Sequence, residues 1–298
     1  MLNKSGLLFA SMILCTTFSA AANTPLIIAH RGGTGDGPEN TEYVIEKSLS
    51  NSADAIWITL QLTKDNVIVL YRPSDLSSLT NLSGPVSSFI ASDLNRADAA
   101  YKYAPPDFPL RGKGISVPTL TDVLKKWPTT FFFLDIKSPD ASPEAFAKIL
   151  GTTLQNGNAL NRVRVYSTDE KYTRALPENI PRFESRDATR TALANITMDH
   201  VCTLDATPNT AKWYGFEFRR EVQVIEKFTL GEGVSKSFLQ WDKEAFDCFT
   251  KNKRNNVILL GINSAEDYQQ AKHLGAYGVL VDSPEKFKKI VKGTHKAH

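Results

Sequence analysis

The sequence predicts one α/β domain, a closed (β/α)8 barrel over residues 23–298. Three observations point there. Short β-rich runs alternate with segments of helical period, and that order implies a parallel sheet. The runs are almost continuously apolar, as strands covered on both faces must be. Eight or so such units fit within about 276 residues, an ordinary length for one barrel.

The elements follow in order. Leu26 to His30 reads as a strand, and Thr41 to Ser50 as a helix with Tyr43, Val44 and Leu49 turned inward. Ala55 to Leu62 and Val67 to Tyr71 are strands joined by the turn Lys64-Asp65-Asn66. Thr119 to Trp127 is a helix entered through Pro118. Phe131 to Lys137 is a strand and Pro143 to Gln155 a helix. Arg162 to Tyr166, Met198 to Leu204, Phe238 to Trp241, Val257 to Ile262 and Gly278 to Val281 continue the strand series, with a helix at Ala265 to Leu274. Arg72 to Val117 interrupts the alternation. It is rich in Ser, Pro, Asp and Asn, and so long a connection after a strand is expected to roof the barrel's C-terminal face.

Residues 1–22 read as an export signal. Lys4 supplies the positive start, Gly6 to Ala20 the apolar stretch, and Ala20 to Ala22 a small-residue cleavage site. A permanent anchor is the alternative. Leu14 before Cys15 argues against a lipoprotein signal. No later stretch is long and apolar enough to span a bilayer. The expected location is therefore secreted or periplasmic. Of 35 Lys and Arg only Lys4 lies in the leader, against 32 Asp and Glu, so the remaining charge is nearly balanced. That balance gives no argument for nucleic acid or an anionic membrane surface. Cys202 and Cys248 survive processing, and the sequence leaves open whether they join.

The residues with chemistry sit at strand ends. The first strand closes on His30-Arg31-Gly32-Gly33, and Pro38-Glu39-Asn40-Thr41 follows. Histidine moves a proton near neutral pH, and the guanidinium fork holds two phosphate oxygens. Alone, this tripeptide reads more simply as a turn carrying a surface ion pair.

The wider pattern resembles the glycerophosphodiester phosphodiesterases, which fold as phospholipase-C-like TIM barrels. His-Arg-Gly with Pro-Glu-Asn-Thr resembles their opening motif. Ser52-Ala53-Asp54 is similar to the lead into their second strand, and Thr63-Lys64-Asp65 to the turn after it. Leu79-Thr80-Asn81 with Ser83-Gly84-Pro85-Val86 resembles the start of their insertion. Phe108 to Gly114 with Pro118-Thr119-Leu120 resembles the run before their third helix. Asp135-Ile136-Lys137 resembles their Glu-x-Lys strand end, and Gly275 to Pro284 their closing Gly-x-x-Gly-x-x-x-Asp-x-Pro signature. The likeness runs collinearly from about Leu26 to Lys292.

The resemblance implies a divalent cation, calcium or magnesium, on strand-end carboxylates, and two histidines as general acid and base. This chain departs from that pattern. Two metal carboxylates of the second strand are replaced by Trp57 and Thr59. The His-Asp ending of the next strand reads Tyr71-Arg72, and the third carboxylate is shortened to Asp135. Leu260-Gly261-Ile262-Asn263 stands for Trp-Thr-x-Asn. His30, Arg31, Glu39, Asn40, Asp135, Lys137 and Asn263 are kept.

Two functional expectations follow. In the first, no cofactor is bound, hydrolysis is impaired or lost, and the pocket takes a small phosphate-bearing ligand such as a glycerophosphodiester. His30 and Arg31 are the catalytic remnants there, with Tyr71 in place of the second histidine. Arg31, Arg72, Lys137 and Asn263 contact phosphate, Glu39 and Asn40 support them, and Asp135 is a weak metal ligand. In the second, the chain is an active, divergent phosphodiesterase releasing an alcohol and glycerol phosphate. Trp57 and Thr59 are expected to face the barrel mouth together.

Overall fold

The computed structural model describes residues 24–204 and 210–294; the stretch 1–22, expected to be an export signal, lies outside them. Among the described residues ten strands are present: β1 Leu26–His30, β2 Ala55–Leu62, β3 Ile68–Leu70, β4 Phe131–Ile136, β5 Val163–Tyr166, β6 Trp213–Glu217, β7 Arg219–Phe228, β8 Gly231–Gln240, β9 Asn256–Leu260 and β10 Gly278–Val281. Nine α-helices accompany them among the same residues: α1 Glu42–Ser50, α2 Ala91–Leu94, α3 Leu120–Lys126, α4 Pro143–Asn156, α5 Glu170–Arg174, α6 Arg186–Asp199, α7 Lys243–Phe249, α8 Ala265–Leu274 and α9 Pro284–Thr294.

Seven parallel strands form a curled sheet in the order β5-β4-β2-β1-β10-β9-β6, with β3 folded back antiparallel on β2. Its two edges are bridged by a short segment that no strand pattern announced. Val165 N–H donates to the Pro181 carbonyl and Phe183 N–H to the Val165 carbonyl, while Glu184 N–H donates to the Trp213 carbonyl. All eight residues of β2 are buried, as expected of a strand covered on both faces.

The helices begin where their sequences say. Thr41, Ser142, Ser185, Asp242 and Ser264 each accept a backbone N–H of the first turn through a side-chain oxygen, and Pro143 occupies the first helical position of α4. Gly275 closes α8 at φ 84°, a left-handed conformation that glycine adopts without a Cβ clash. In α1, Val44, Ile45 and Ser48 are the buried residues; Tyr43, expected inside, is exposed.

Three sequence expectations change. Met198 to Leu204 is not a strand: Met198 and Asp199 end α6, His200 caps it at φ 56°, and the chain continues as coil. Phe238 to Trp241 is not a sheet strand either. Residues 238–240 end β8, which pairs antiparallel with β7 as a hairpin outside the main sheet. The segment 72–117 flanks the barrel mouth more than it roofs it. It packs its own cluster of Leu76, Val86, Leu94, Ala99 and Val117 under β3, and Arg72 alone of it lines the central cavity described below.

The barrel interior is aromatic. Trp57, Phe133, Tyr166, Phe183 and Trp213 pack with Ile28, Ile258 and Leu280. Tyr214, Phe216 and Phe218, from β6 and its end, belong to the second core, which packs around α6, α7 and β9. Cys202 and Cys248 are joined, with Cα atoms 5.8 Å apart, tying the coil after α6 to α7.

Candidate functional site

A cavity of about 300 Å³ opens at the C-terminal ends of the strands. His30 and Arg31 enter it from β1, Trp57 from β2, and Asp135 and Lys137 from β4 and its end. Arg72 reaches it from the end of the β2–β3 hairpin. Tyr166, Thr168, Arg186, Glu217 and Asp282 complete the polar wall, and Leu260, Gly261 and Leu280 the apolar one. Six residues that the sequence placed at the mouth thus meet in one pocket.

His30 Nδ1 lies 2.7 Å from Asp282 Oδ1. Asp282 is in turn fixed by Asn263, whose Nδ2 donates to Oδ2 at 2.8 Å and whose Oδ1 accepts the Asp282 N–H at 3.0 Å. Asn263 therefore orients the carboxylate and does not itself line the cavity. The hydrogen bond from His30 holds the Asp282 carboxyl below the usual range, against the opposing effect of burial.

Arg31 adopts φ 50°, which carries the chain over the mouth, and its Nη1 donates to Glu39 Oε2 at 2.8 Å. Gly33 at φ 112° permits that turn. A Cβ there would stand 2.3 Å from Ser48 Oγ, which donates to the Gly32 carbonyl. Asn40 supports β2 by accepting the Thr59 N–H at 2.9 Å.

Asp135 is buried, and desolvation pushes its carboxyl pKa up, opposed first by Lys137 and then by Trp57 and His30. Lys137 Nζ stands 3.4 Å from Asp135 Oδ1 and donates to Thr168 Oγ1 at 2.6 Å. Across the mouth, Arg186 Nη2 pairs with Glu217 Oε1 at 2.7 Å, and its guanidinium lies 4.4 Å from the Phe216 ring. Arg186 Nη1 and Glu217 Oε2 are buried without hydrogen-bond partners.

Trp57 faces the mouth as expected, its ring packed on Phe133, Tyr166 and Phe183. Thr59 shares that face by strand alternation and is paired in register with Asp135, but it is buried and does not line the cavity. Tyr71 is the clear correction. Its hydroxyl donates to the carbonyls of Asp75 and Leu76 at 3.0 and 3.2 Å, and its ring belongs to the cluster under the insertion. Burial raises its pKa, and the residue does not take the place of a second histidine in the cavity.

The family's model, described as the glycerophosphoryl diester phosphodiesterase family, matches residues 30–286. The chain belongs to this family. An uncharacterized protein of Mycobacterium tuberculosis is 38% identical over 267 residues, which is 87% of each chain. The solved glycerophosphoryl diester phosphodiesterase domain of a Mycobacterium tuberculosis protein superposes with a TM-score of 0.83 at 36% identity, covering 90% of this chain and 99% of that one. The glycerophosphodiester phosphodiesterase of Bacillus subtilis is 25% identical over 276 residues, 90% of this chain and 87% of the relative. An Oleispira antarctica phosphodiesterase solved with its product sn-glycerol-3-phosphate shares the fold, with a TM-score of 0.61 at 15% identity over 90% of this chain and 97% of that one.

Among the described residues no three His, Cys, Asp or Glu side chains cluster as a metal site. At the mouth Asp282 is engaged by His30 and Asn263, Glu217 by Arg186 and Arg220, and Asp135 faces an ammonium. Arg31, Arg72, Lys137 and Arg186 line the cavity with Asp135, Glu217 and Asp282, and Glu39 behind Arg31 is the fourth carboxylate of the cluster.

Sequence reading missed Asp282, Arg186, Glu217, Tyr166 and Thr168. Asp282 had a signal, being the aspartate of the closing motif. Arg186 and Glu217 had none, because the bridging segment and β6 were not recognised as neighbouring barrel strands.

Proposed function

We propose that this chain is an exported member of the family that binds a small phosphate-bearing molecule, such as a glycerophosphodiester, without a metal ion and with hydrolysis impaired or lost. One observation carries the reading. Trp57, which the resemblance sets at a metal-carboxylate position, is an indole packed into the aromatic interior, and three arginines and a lysine face the cavity beside it. Hard cations need several oxygen ligands, and affinity follows their charge. Guanidinium and ammonium groups neutralise phosphate oxygens in the cation's place. The Oleispira relative, solved with glycerol phosphate, supports a ligand of that class.

Export is supported by the leader at Lys4 and Gly6 to Ala20, and by the Cys202–Cys248 bond, which persists in oxidising compartments. A nucleic-acid partner has no support in the nearly balanced charge.

A second reading is favoured by the His30–Asp282 pair, which would position an acid–base imidazole beside the retained Arg31 in an active, divergent phosphodiesterase. Calorimetry with calcium and with glycerophosphocholine, together with hydrolysis assays with and without calcium, separates the two. Ligand binding without calcium and little or no turnover are expected. Tight calcium binding, or calcium-stimulated hydrolysis, would overturn it.

A further inference from the structure

The β7–β8 hairpin plays no part in the cavity. It is a ribbon of ten paired residues on each strand, closed by the two-residue loop Thr229–Leu230. An isolated two-stranded ribbon is marginal in water, and its unpaired edges invite another strand. At the hairpin's base Leu239 is buried and Val222 and Ala194 pack against the same core. The opposite face is uncovered: Ile225 is 54%, Val234 61% and Phe238 65% exposed, and Leu230 at the tip is 100% exposed.

The geometry points to a second copy of this chain as the occupant of the free β8 edge, forming a twofold antiparallel four-stranded sheet centred on Val234. Among the described residues β8 pairs with β7 alone. Its pairing is unbroken from Gly231 to Gln240, without a bulge, and no proline blunts the edge. Because Phe228 and Gly231 close a two-residue loop, their pair is hydrogen-bonded, and alternate residues from Gly231 onward turn their backbone groups toward β7. The N–H and C=O groups of Glu232, Val234, Lys236 and Phe238 therefore point to the open edge.

Those four residues also carry self-complementary side chains. With Val234 opposite Val234 of the second copy, antiparallel pairing sets Glu232 against Lys236 and Leu230 against Phe238, each occurring twice. Charge meets opposite charge and apolar meets apolar on the one exposed face. Lys236 Nζ already lies 2.9 Å from Glu221 Oε1 across the hairpin, so it would bridge two carboxylates. The β7 edge does not match itself this way: setting Glu221 against Lys227 places Gln223 opposite Ile225. The new sheet would join the exposed Ile225, Val234 and Phe238 of both copies into one apolar surface.

The test uses the whole chain. Light scattering and sedimentation should give a dimer of the 33.0 kDa chain, less any processed leader. Lys236→Glu should weaken it at least about tenfold through like-charge pairs. Glu232→Lys combined with Lys236→Glu should restore it. Val234→Cys in a Cys15→Ser background should cross-link under oxidation, since a hydrogen-bonded antiparallel pair has Cα atoms about 5.5 Å apart, within disulfide reach. Ser237→Cys, far from its symmetry mate, should not. Near-ultraviolet dichroism checks that each variant is folded. A monomer at every concentration overturns the inference, as does a dimer that Lys236→Glu leaves unmoved or that fails to link at position 234.

Discussion

His30 and Asp282, 252 residues apart in the chain, meet at 2.7 Å across the barrel mouth, where β1 and β10 end side by side. The contact lowers the Asp282 pKa, so ionised Asp282 stabilises the fold above its unfolded pKa of about 3.9. That contribution is lost as pH falls through the depressed folded value. The melting temperature of Asp282→Asn should therefore lie below wild type near neutral pH and converge with it in acid. A gap that stays constant down to about pH 2, below ordinary carboxylate values, would show that the effect is packing alone.

Asp135 predicts the opposite sign. Burial raises its folded pKa, so stability is lost as pH rises from the unfolded value through the folded one. Asp135→Asn should match wild type in acid and melt higher near neutral pH. Thermal scans of both proteins across that range decide it, and a lower melting temperature at neutral pH would mean that the Lys137 contact outweighs desolvation.

Tyr71 and Arg72 are neighbours with different fates. Tyr71→Phe should cost about 1 kcal/mol of stability, from the lost hydroxyl bonds, and leave glycerophosphocholine affinity within about twofold. Arg72→Ala and Lys137→Ala should each weaken that binding by about tenfold, as loss of a charge-assisted phosphate contact does. Calorimetry reads all three. A tenfold loss in Tyr71→Phe would return Tyr71 to the site.

The Cys202–Cys248 bond spans 46 residues and ties α7 to the coil that leaves α6. Replacing both cysteines by serine should cost about 2–5 kcal/mol and lower the melting temperature. Reductant should reproduce the shift in wild type and have no effect on the double variant.

The sequence by itself determined the alternation of strands and helices over much of the chain and the collinear motifs from His30 to Pro284, while the side-chain caps at Thr41, Ser142, Ser185, Asp242 and Ser264 became visible with the helices they start. These are local signals, written in hydrophobic period and in side chains that bond to their own backbone. The resemblance also set Trp57 and Thr59 where the family's pattern has carboxylates. Tertiary structure alone decided the rest. Residues 181–184 bridge the sheet edges through a few backbone bonds supplied by β5 and β6, and nothing in so short a run after Pro181 announces a strand. The hairpin alternates too weakly to say that it leaves the sheet. Tyr71 and Arg72 diverge because successive residues point to opposite sides, so one enters the cluster under the insertion and the other the cavity. Asp282 reaches His30, and Glu217 reaches Arg186, only because closing the sheet brings remote strand ends together, a distance that no local pattern encodes.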